Sequence, residues 1–315
     1  MKVGGIPWLV LLAIGPAAVL HAQGAVPNAP GRHRVEVRSS VDGSLQPAYL
    51  SLPTLTAALA PLAVLLHTWS FDAEQRDSTV EREARDRGWL LLTPNFRGRN
   101  DHPEACGSDV AQQDILDAVA WTRQHYPVDE RRIYLLGLSG GGYMTMLMAA
   151  RHPEPWAAAS AWVGISDLRD WYTVHQTDAY GMMMRGCFGG GPETSDSTAV
   201  AYRARSPLTY LRERGPVPLD LAAGRFDNTV APSHTLRAFQ AVAPGIVSDD
   251  DIVALLGAGP GLLRPMIADT AVDPLLGRRL FLRRKAGASR VSIFDGGHEW
   301  LPRAAVAWLA DHHKP

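Results

Sequence analysis

Short apolar runs alternate along the chain with amphipathic stretches. The runs predict strands buried on both faces, and an alternating segment near the start predicts a half-exposed strand. These strand segments are residues 34–38, 48–52, 62–67, 89–92, 133–136, 157–163, 217–222 and 290–294. Residues 112–125 and 143–150 instead have helical spacing. Apolar strands that alternate with helices predict an α/β fold, with a mainly parallel, twisted sheet and helices on both faces.

The first residues form a segment that we separate from the fold. Lys2 precedes an apolar stretch from Ile6 to Leu20, and Ala22 ends a small-residue cleavage site. This pattern predicts a signal peptide over residues 1–22 and therefore a secreted or periplasmic protein. An N-terminal membrane anchor is the alternative, but the apolar stretch is short for a span of about 20 residues. We assign residues 23–32 to a leader and 33–315 to one catalytic domain.

Composition narrows the classes of partner. The chain has 315 residues and a formal net charge of −1. Because there is no sustained basic run, we expect neither nucleic acid nor, after signal removal, a membrane as partner. No group of ligand residues has metal-binding spacing, so we expect no metal and no cofactor. The two cysteines, Cys106 and Cys187, are expected to form a disulfide at the rim of the active site, the alternative being two free thiols.

The strongest chemical signal is a serine between two glycines. Residues 137–141 read Gly-Leu-Ser-Gly-Gly and lie between a predicted strand and a predicted helix. A serine on such a sharp strand-to-helix turn projects its hydroxyl above the carboxyl edge of the sheet, and bulky neighbours would clash. Ser139 is therefore the expected nucleophile, and the amide of Gly140 faces a developing oxyanion. A helix-capping serine in a glycine-rich turn is the alternative.

A serine hydroxyl needs a general base, and in this fold the chain order is nucleophile, acid, histidine. His298 follows the last predicted strand and two glycines, which allow its loop to approach the serine. An ordinary loop histidine is the alternative there. His312 and His313 have no strand to present them, so His298 is the expected base.

The acid is expected to follow an earlier strand. Asp227 follows strand 217–222 and a glycine turn, and its role would be to hold the imidazole tautomer. A turn-forming aspartate is the alternative. Asp167, which follows strand 157–163, also satisfies the chain order, although it could instead cap a helix. Asp220 lies within a strand and is disfavoured.

The second oxyanion donor is expected in the loop after strand 62–67. The amide of Trp69 is the first choice and that of Thr68 the second. The alternative is that Trp69 only forms a pocket wall. Trp69, Trp171, Tyr172 and Tyr180 together suggest an aromatic-walled site, but aromatic residues can equally belong to the core.

Five segments resemble the catalytic domain of the prolyl oligopeptidase family of serine hydrolases, whose relatives include acylaminoacyl peptidases and many bacterial esterases. The segments are Ser40–Gly43, Pro94–Gly98, Arg205–Leu208, Asp227–Val230 and Gly296–His298, together with the serine turn. The resemblance runs from about Val35 to the C-terminus and implies the α/β-hydrolase fold. It also implies Ser139, Asp227 and His298 as the catalytic triad.

The chain departs from that family in three places. Too few residues precede the first matched strand for the family's N-terminal β-propeller, so we expect a stand-alone catalytic domain. His67-Thr68 replaces the usual His-Gly pair before the oxyanion loop. Residues 245–278 look inserted, and Ser248 followed by three aspartates predicts a capped helix there. This insertion is either a lid or pocket wall, or a solvated decoration.

These features predict an enzyme that cleaves an ester through an acyl-enzyme intermediate, with a small-molecule ester or a short peptide as its partner. The expected lack of a β-propeller weakens the alternative, which is a peptidase that acts on short peptides. An inactive hydrolase fold used for binding is a third possibility, whose expected sign is a missing triad residue. The sequence specifies neither the acyl group nor the alcohol, nor the oligomeric state.

Overall fold

The structure is a computed structural model that describes Met1 and residues 26–56, 58–213, 215, 217–257 and 272–315. The predicted signal peptide, apart from Met1, lies outside the described residues. So do the start of the leader and residues 258–271 of the predicted insertion. Within the described ranges, no helix is long and apolar enough to cross a membrane.

The described residues form a ten-stranded sheet in the order β1-β2-β4-β3-β5-β6-β7-β10-β9-β8. The strands are β1 Gly31–Arg38, β2 Leu45–Leu52, β3 Ala60–Leu66, β4 Leu90–Pro94, β5 Val128–Leu138, β6 Ala158–Trp162, β7 Leu219–Gly224, β8 Val272–Asp273, β9 Arg278–Ala286 and β10 Ser289–Phe294. The six central strands from β4 to β10 pair in parallel, and the strands outside them pair antiparallel. The predicted mainly parallel sheet is confirmed.

Helices cover both faces of the sheet. They are α1 Ser78–Asp86, α2 Asp109–His125, α3 Gly140–Arg151, α4 Leu168–His175, α5 Ala179–Phe188, α6 Asp196–Ala204, α7 Ser233–Val242, α8 Asp249–Gly257 and α9 Pro302–Ala310, with a short 3₁₀ turn at Pro207–Thr209. Several begin at a side chain that accepts hydrogen bonds from the free amides of the first turn, including Asp77, Ser108 and Asp178.

Alternation along the buried strands divides the core between the two faces. In β3, Leu62 and Val64 pack in one cluster with residues of α2 and α3. Ala63 and Leu65 pack in the other cluster with residues of α1 and α9. Successive side chains of a strand point to opposite faces, so a continuous apolar run is needed where both faces are covered.

The structure differs from the sequence prediction at several element boundaries. β5 begins at Val128 rather than Ile133, because its first residues pair with the start of β3 across a register shift. β7 extends to Gly224, and β3 ends before His67. The antiparallel strand β9 begins at Arg278, the last residue of the predicted insertion, and was not predicted.

Two further sequence predictions, a disulfide and a capped helix start, agree with the structure. Cys106 and Cys187 form a disulfide with a Cα–Cα distance of 6.1 Å, which joins the loop after β4 to α5. In the predicted insertion, Ser248 Oγ accepts a hydrogen bond from the Asp251 amide at 3.0 Å, and Asp251 accepts one from the Ser248 amide at 2.8 Å. This reciprocal capping begins α8.

Candidate active site

Ser139 lies on the tight turn between β5 and α3. Its backbone has φ 55° and ψ −120°, in a region that residues with a β-carbon seldom occupy. Such local strain persists only where the surrounding structure enforces it, and it occurs preferentially at active sites. The turn places the serine hydroxyl at the carboxyl edge of the central sheet.

Close backbone contacts explain the glycines around the serine. A β-carbon on Gly141 would collide with the carbonyl oxygen of Leu66, at the end of β3. A β-carbon on Gly140 would collide with the backbone nitrogen of Trp69. The start of α3 therefore packs directly against the loop after β3, and only glycine allows this approach.

Ser139, His298 and Asp227 form a continuous chain of polar contacts. His298 Nε2 lies 2.9 Å from Ser139 Oγ, and His298 Nδ1 lies 2.8 Å from Asp227 Oδ2. A carboxylate accepts hydrogen bonds only, so Nδ1 carries the proton and Nε2 presents its lone pair to the serine hydroxyl. The structure thus brings together the three residues that the sequence singled out.

The carboxylate of Asp227 is held by the backbone of its own loop. Its Oδ1 accepts hydrogen bonds from the amides of Thr229 and Val230, both at 2.9 Å. This leaves Oδ2 for the imidazole, and the Asp227 side chain is completely buried. The orientation of the imidazole is therefore fixed by the acid loop, residues 227–230.

The rival acids have other partners. Asp167 caps α4 by accepting hydrogen bonds from the amides of Arg169 and Asp170. Asp220 lies inside the sheet, 2.7 Å from Arg290 and 2.9 Å from Ser160. Asp167 therefore has the structural role of a helix cap, and Asp220 has that of a partner in a buried ion pair.

The contacts of two neighbouring peptide groups distinguish the amide of Thr68 from that of Trp69 as the candidate second oxyanion donor. The Thr68 amide donates to Gln75 Oε1 at 2.8 Å, so it is already engaged. His67 Nδ1 lies 3.0 Å from the Thr68 carbonyl oxygen. In a trans peptide the N–H points away from the C=O, so the Trp69 amide points away from His67. This geometry favours Trp69 over Thr68 as the second donor.

His67 is itself fixed within the core. Its ring stacks on Phe96, with centroids 3.8 Å apart, and Nε2 lies 2.8 Å from the Asn95 carbonyl oxygen. Burial lowers the pKa of His67, since desolvation disfavours the imidazolium. Asn95 and Phe96, in the Pro94–Gly98 segment, thus support the loop after β3 through His67.

The aromatic residues suggested by the sequence mainly form core beneath the site. Trp69 is 1% exposed and makes an edge contact with Trp171 at 4.8 Å between ring centroids. Trp171 is equally buried, and the partly buried Tyr180 packs on it at 5.1 Å. The Trp69 side chain therefore contributes packing below the site rather than an open pocket wall.

Sequence reasoning missed a second support, which acts on the acid loop. Trp171 Nε1 donates to the Thr229 carbonyl oxygen at 2.9 Å, and His175 Nε2 lies 2.8 Å from the same oxygen. His175 Nδ1 lies 2.6 Å from Asp178 Oδ2. The only sequence signal was a cluster of aromatic and polar residues in α4, which alone does not reveal contact with the acid loop.

The described residues contain no group of three or more histidine, cysteine or acidic side chains that could hold a metal ion. The groups that this site brings together are the hydroxyl of Ser139, the imidazole of His298 and the carboxylate of Asp227.

Curated proteins are similar to part of this chain. A probable acetylxylan esterase A from Neosartorya fischeri is 26% identical over 211 residues, which cover 62% of this chain and 54% of the relative. An acetylxylan esterase A from Aspergillus awamori is 35% identical over 202 residues, which cover 59% of this chain and 62% of the relative. The chain thus spans little more than half the length of these curated relatives.

A solved structure shares the fold. The acylaminoacyl peptidase of Pyrococcus horikoshii matches with a TM-score of 0.61 and 19% identity, over 88% of this chain and 40% of that one. Residues 77–256, which include Ser139 and Asp227, match the sequence pattern of the prolyl oligopeptidase family. This match extends over more than half of the chain, and the protein therefore belongs to the prolyl oligopeptidase family.

Proposed function

We propose that this protein is a serine hydrolase that cleaves esters through an acyl-enzyme intermediate. The observation that carries the proposal is the chain of contacts from Asp227 through His298 to Ser139. Its order and its hydrogen-bonding directions are those needed to activate a serine hydroxyl.

In the first step, His298 Nε2 accepts the hydroxyl proton while Ser139 Oγ attacks the ester carbonyl carbon. The negative charge that develops on the carbonyl oxygen is stabilised by the amides of Gly140 and Trp69. His298 then gives its proton to the departing alcohol, which leaves an acyl group on Ser139. Asp227 holds the imidazole tautomer and stabilises the imidazolium throughout.

The second step returns the enzyme to its starting state. A water molecule takes the place of the alcohol, and His298 Nε2 accepts its proton as the oxygen attacks the acyl carbon. The same two amides stabilise the second oxyanion. The carboxylic acid leaves when the proton on His298 returns to Ser139 Oγ.

An ester is the favoured substrate because curated relatives at 26% and 35% identity are named acetylxylan esterases. Peptide cleavage is the second candidate, favoured by membership of the prolyl oligopeptidase family. Both reactions use the same nucleophile, base and oxyanion donors. They differ in the leaving group, which is an alcohol in ester cleavage and an amine in peptide cleavage. An amine must be protonated before it departs.

Paired kinetics separate these two candidates. We would measure kcat/KM for p-nitrophenyl acetate and for aminoacyl p-nitroanilides, with the wild type and with Ser139→Ala. The proposal predicts ester turnover that exceeds amide turnover and is lost in the variant. Faster amide turnover would favour the peptidase, and no turnover of either substrate would favour the inactive binding fold.

Export is part of the proposal. The predicted signal peptide over residues 1–22 and the Cys106–Cys187 disulfide both suit an oxidising compartment. Intact-mass analysis after expression in a secreting host should give a mature N-terminus near Gln23. A mass that retains residues 1–22 would favour a membrane anchor.

A further inference from the structure

The peptide groups on both sides of Trp69 are held through contacts of their carbonyl oxygens with neighbouring residues. The preceding carbonyl, that of Thr68, is contacted by His67. The following carbonyl, that of Trp69 itself, accepts two hydrogen bonds from Asn100: one from its backbone amide at 3.0 Å and one from Nδ2 at 3.3 Å. The backbone angles of Trp69, and with them the direction of its N–H, therefore depend on Asn100.

The indole of Trp69 does not supply an alternative hydrogen bond. Its Nε1 is buried and has no hydrogen-bonding partner among the described residues. The indole contributes ring contacts with Trp171 and Tyr143. Such contacts hold the position of the ring but leave the orientation of the peptide group less constrained than a hydrogen bond would.

The side chain of Asn100 is oriented by Cys106. The Cys106 amide donates to Asn100 Oδ1 at 2.7 Å, so the amide group of Asn100 directs its Nδ2 toward Trp69. Asn100 and Cys106 are both completely buried. The backbone of Cys106 has φ 54°, which is uncommon for a residue other than glycine and must be maintained by the surrounding structure.

The disulfide connects this arrangement to α5. Cys187 lies near the end of that helix, and its Sγ is 3.3 Å from the Asn100 carbonyl oxygen. One residue earlier, a β-carbon on Gly186 would collide with the carbonyl oxygen of Asp101, so α5 and the loop are in backbone contact. The contacts thus run without interruption from α5 through the disulfide and Asn100 to Trp69.

We propose that Asn100 is a positioning residue for the oxyanion hole, and that the Cys106–Cys187 disulfide holds Asn100 in place, so that turnover depends on the disulfide. This inference rests on the proposed function, because it assigns the Trp69 amide to the oxyanion. Asn100 does not touch the substrate. It acts by fixing the direction of the Trp69 N–H before the charge develops.

The test compares Asn100→Leu with the neighbouring Arg99→Ala, whose side chain is exposed. Two quantities are measured: the kinetics of p-nitrophenyl acetate, and the affinity for phenylboronic acid, whose tetrahedral adduct resembles the transition state. Removing an oxyanion donor costs 10²–10³ in kcat, so loosening one should cost roughly 10- to 100-fold. We expect that loss in kcat and a parallel loss of boronate affinity, with little change in KM.

A merely structural role would give a different pattern. Loss of stability alone would lower the melting temperature but leave boronate affinity and kcat of the folded protein near the wild-type values. That result for Asn100→Leu would overturn the proposal. Arg99→Ala should match the wild type in every measurement.

A second variant keeps the proposal testable if Asn100→Leu does not fold. Cys106→Ala combined with Cys187→Ala removes the disulfide and retains Asn100. We expect kcat and boronate affinity to fall by the same factor. Unchanged boronate affinity in this double variant would contradict the role of the disulfide. If the wild type itself neither hydrolyses the ester nor binds the boronate, the proposed function fails instead.

Discussion

A β-carbon added to Gly140 would overlap the backbone nitrogen of Trp69. The two residues are far apart in sequence: one begins α3 after β5, and the other lies in the loop after β3. Because β3 and β5 are parallel neighbours, their carboxyl ends lie side by side, and the two backbone segments touch. Two amides that could stabilise one oxyanion are therefore brought together by sheet topology.

This contact makes Gly140→Ala a test of the oxyanion hole. The added methyl group must displace either the helix start or the Trp69 backbone, and both shifts move a donor away from the developing charge. We expect kcat to fall by about 10² or more, comparable with the loss of one oxyanion donor. Steady-state kinetics beside a melting curve would check this, and near-wild-type kcat in a folded variant would contradict it.

The two aspartates allow a matched comparison. Asp227→Asn retains an oxygen for the loop amides but favours the wrong imidazole tautomer, which should reduce kcat by roughly 10⁴. Asp167→Asn retains the oxygen that caps α4, and asparagine caps helices about as well as aspartate. We therefore expect near-wild-type kcat and melting temperature for Asp167→Asn.

The same pair of variants identifies the acid if this assignment is wrong. An inactive, well-folded Asp167→Asn protein together with an active Asp227→Asn protein would move the acid to the loop after β6. Circular dichroism and kinetics on both purified variants distinguish these outcomes.

Buried histidines should make the protein less stable in acid. Burial is the largest influence on His234 and lowers its pKa below the usual 6.5, although Asp170 and Asp167 oppose the shift. Below pH 6.5 the unfolded chain therefore takes up a proton that the folded protein does not. The free energy of unfolding should fall as the pH falls from 6.5 toward the folded-state pKa, by at most about 1.4 kcal/mol per pH unit for each such group.

Urea denaturation between pH 7.5 and 5 would measure this slope. His152 and His67 have pKa values shifted in the same direction by burial, so several groups contribute. His234→Gln removes one titrating group near Ser166 and should flatten the slope without abolishing it. An identical slope in the variant would show that His234 does not contribute.

The serine turn and the parallel sheet were predictable because their signals are local. The glycines around Ser139 and the apolar runs of β3, β5 and β6 each reflect a constraint within a few residues of the chain. The order of the elements then placed Asp227 and His298 after their strands. Position after a strand did not separate Asp227 from Asp167, since both aspartates follow one, and before the structure only the family resemblance and the turn around Asp227 favoured it.

Other features depend on contacts between distant segments. Nothing near Asn100 in the sequence indicates that it would donate to Trp69, and the pairing of His175 with Thr229 is equally invisible. β9 was missed although Leu280 and Leu282 alternate with exposed or partly exposed residues, a pattern typical of a strand near a sheet edge. Only its first residue, Arg278, belongs to the segment 245–278 that we interpreted as an insertion, and the rest of the strand was assigned to no element.

The most direct measurement of the central claim is covalent labelling of the native protein by a fluorophosphonate. The reagent reacts with a serine only when a neighbouring base activates it. We predict a single adduct that peptide mapping by mass spectrometry assigns to Ser139, and that is absent from Ser139→Ala. An adduct on another serine, or labelling that survives Ser139→Ala, would contradict the assignment of the nucleophile.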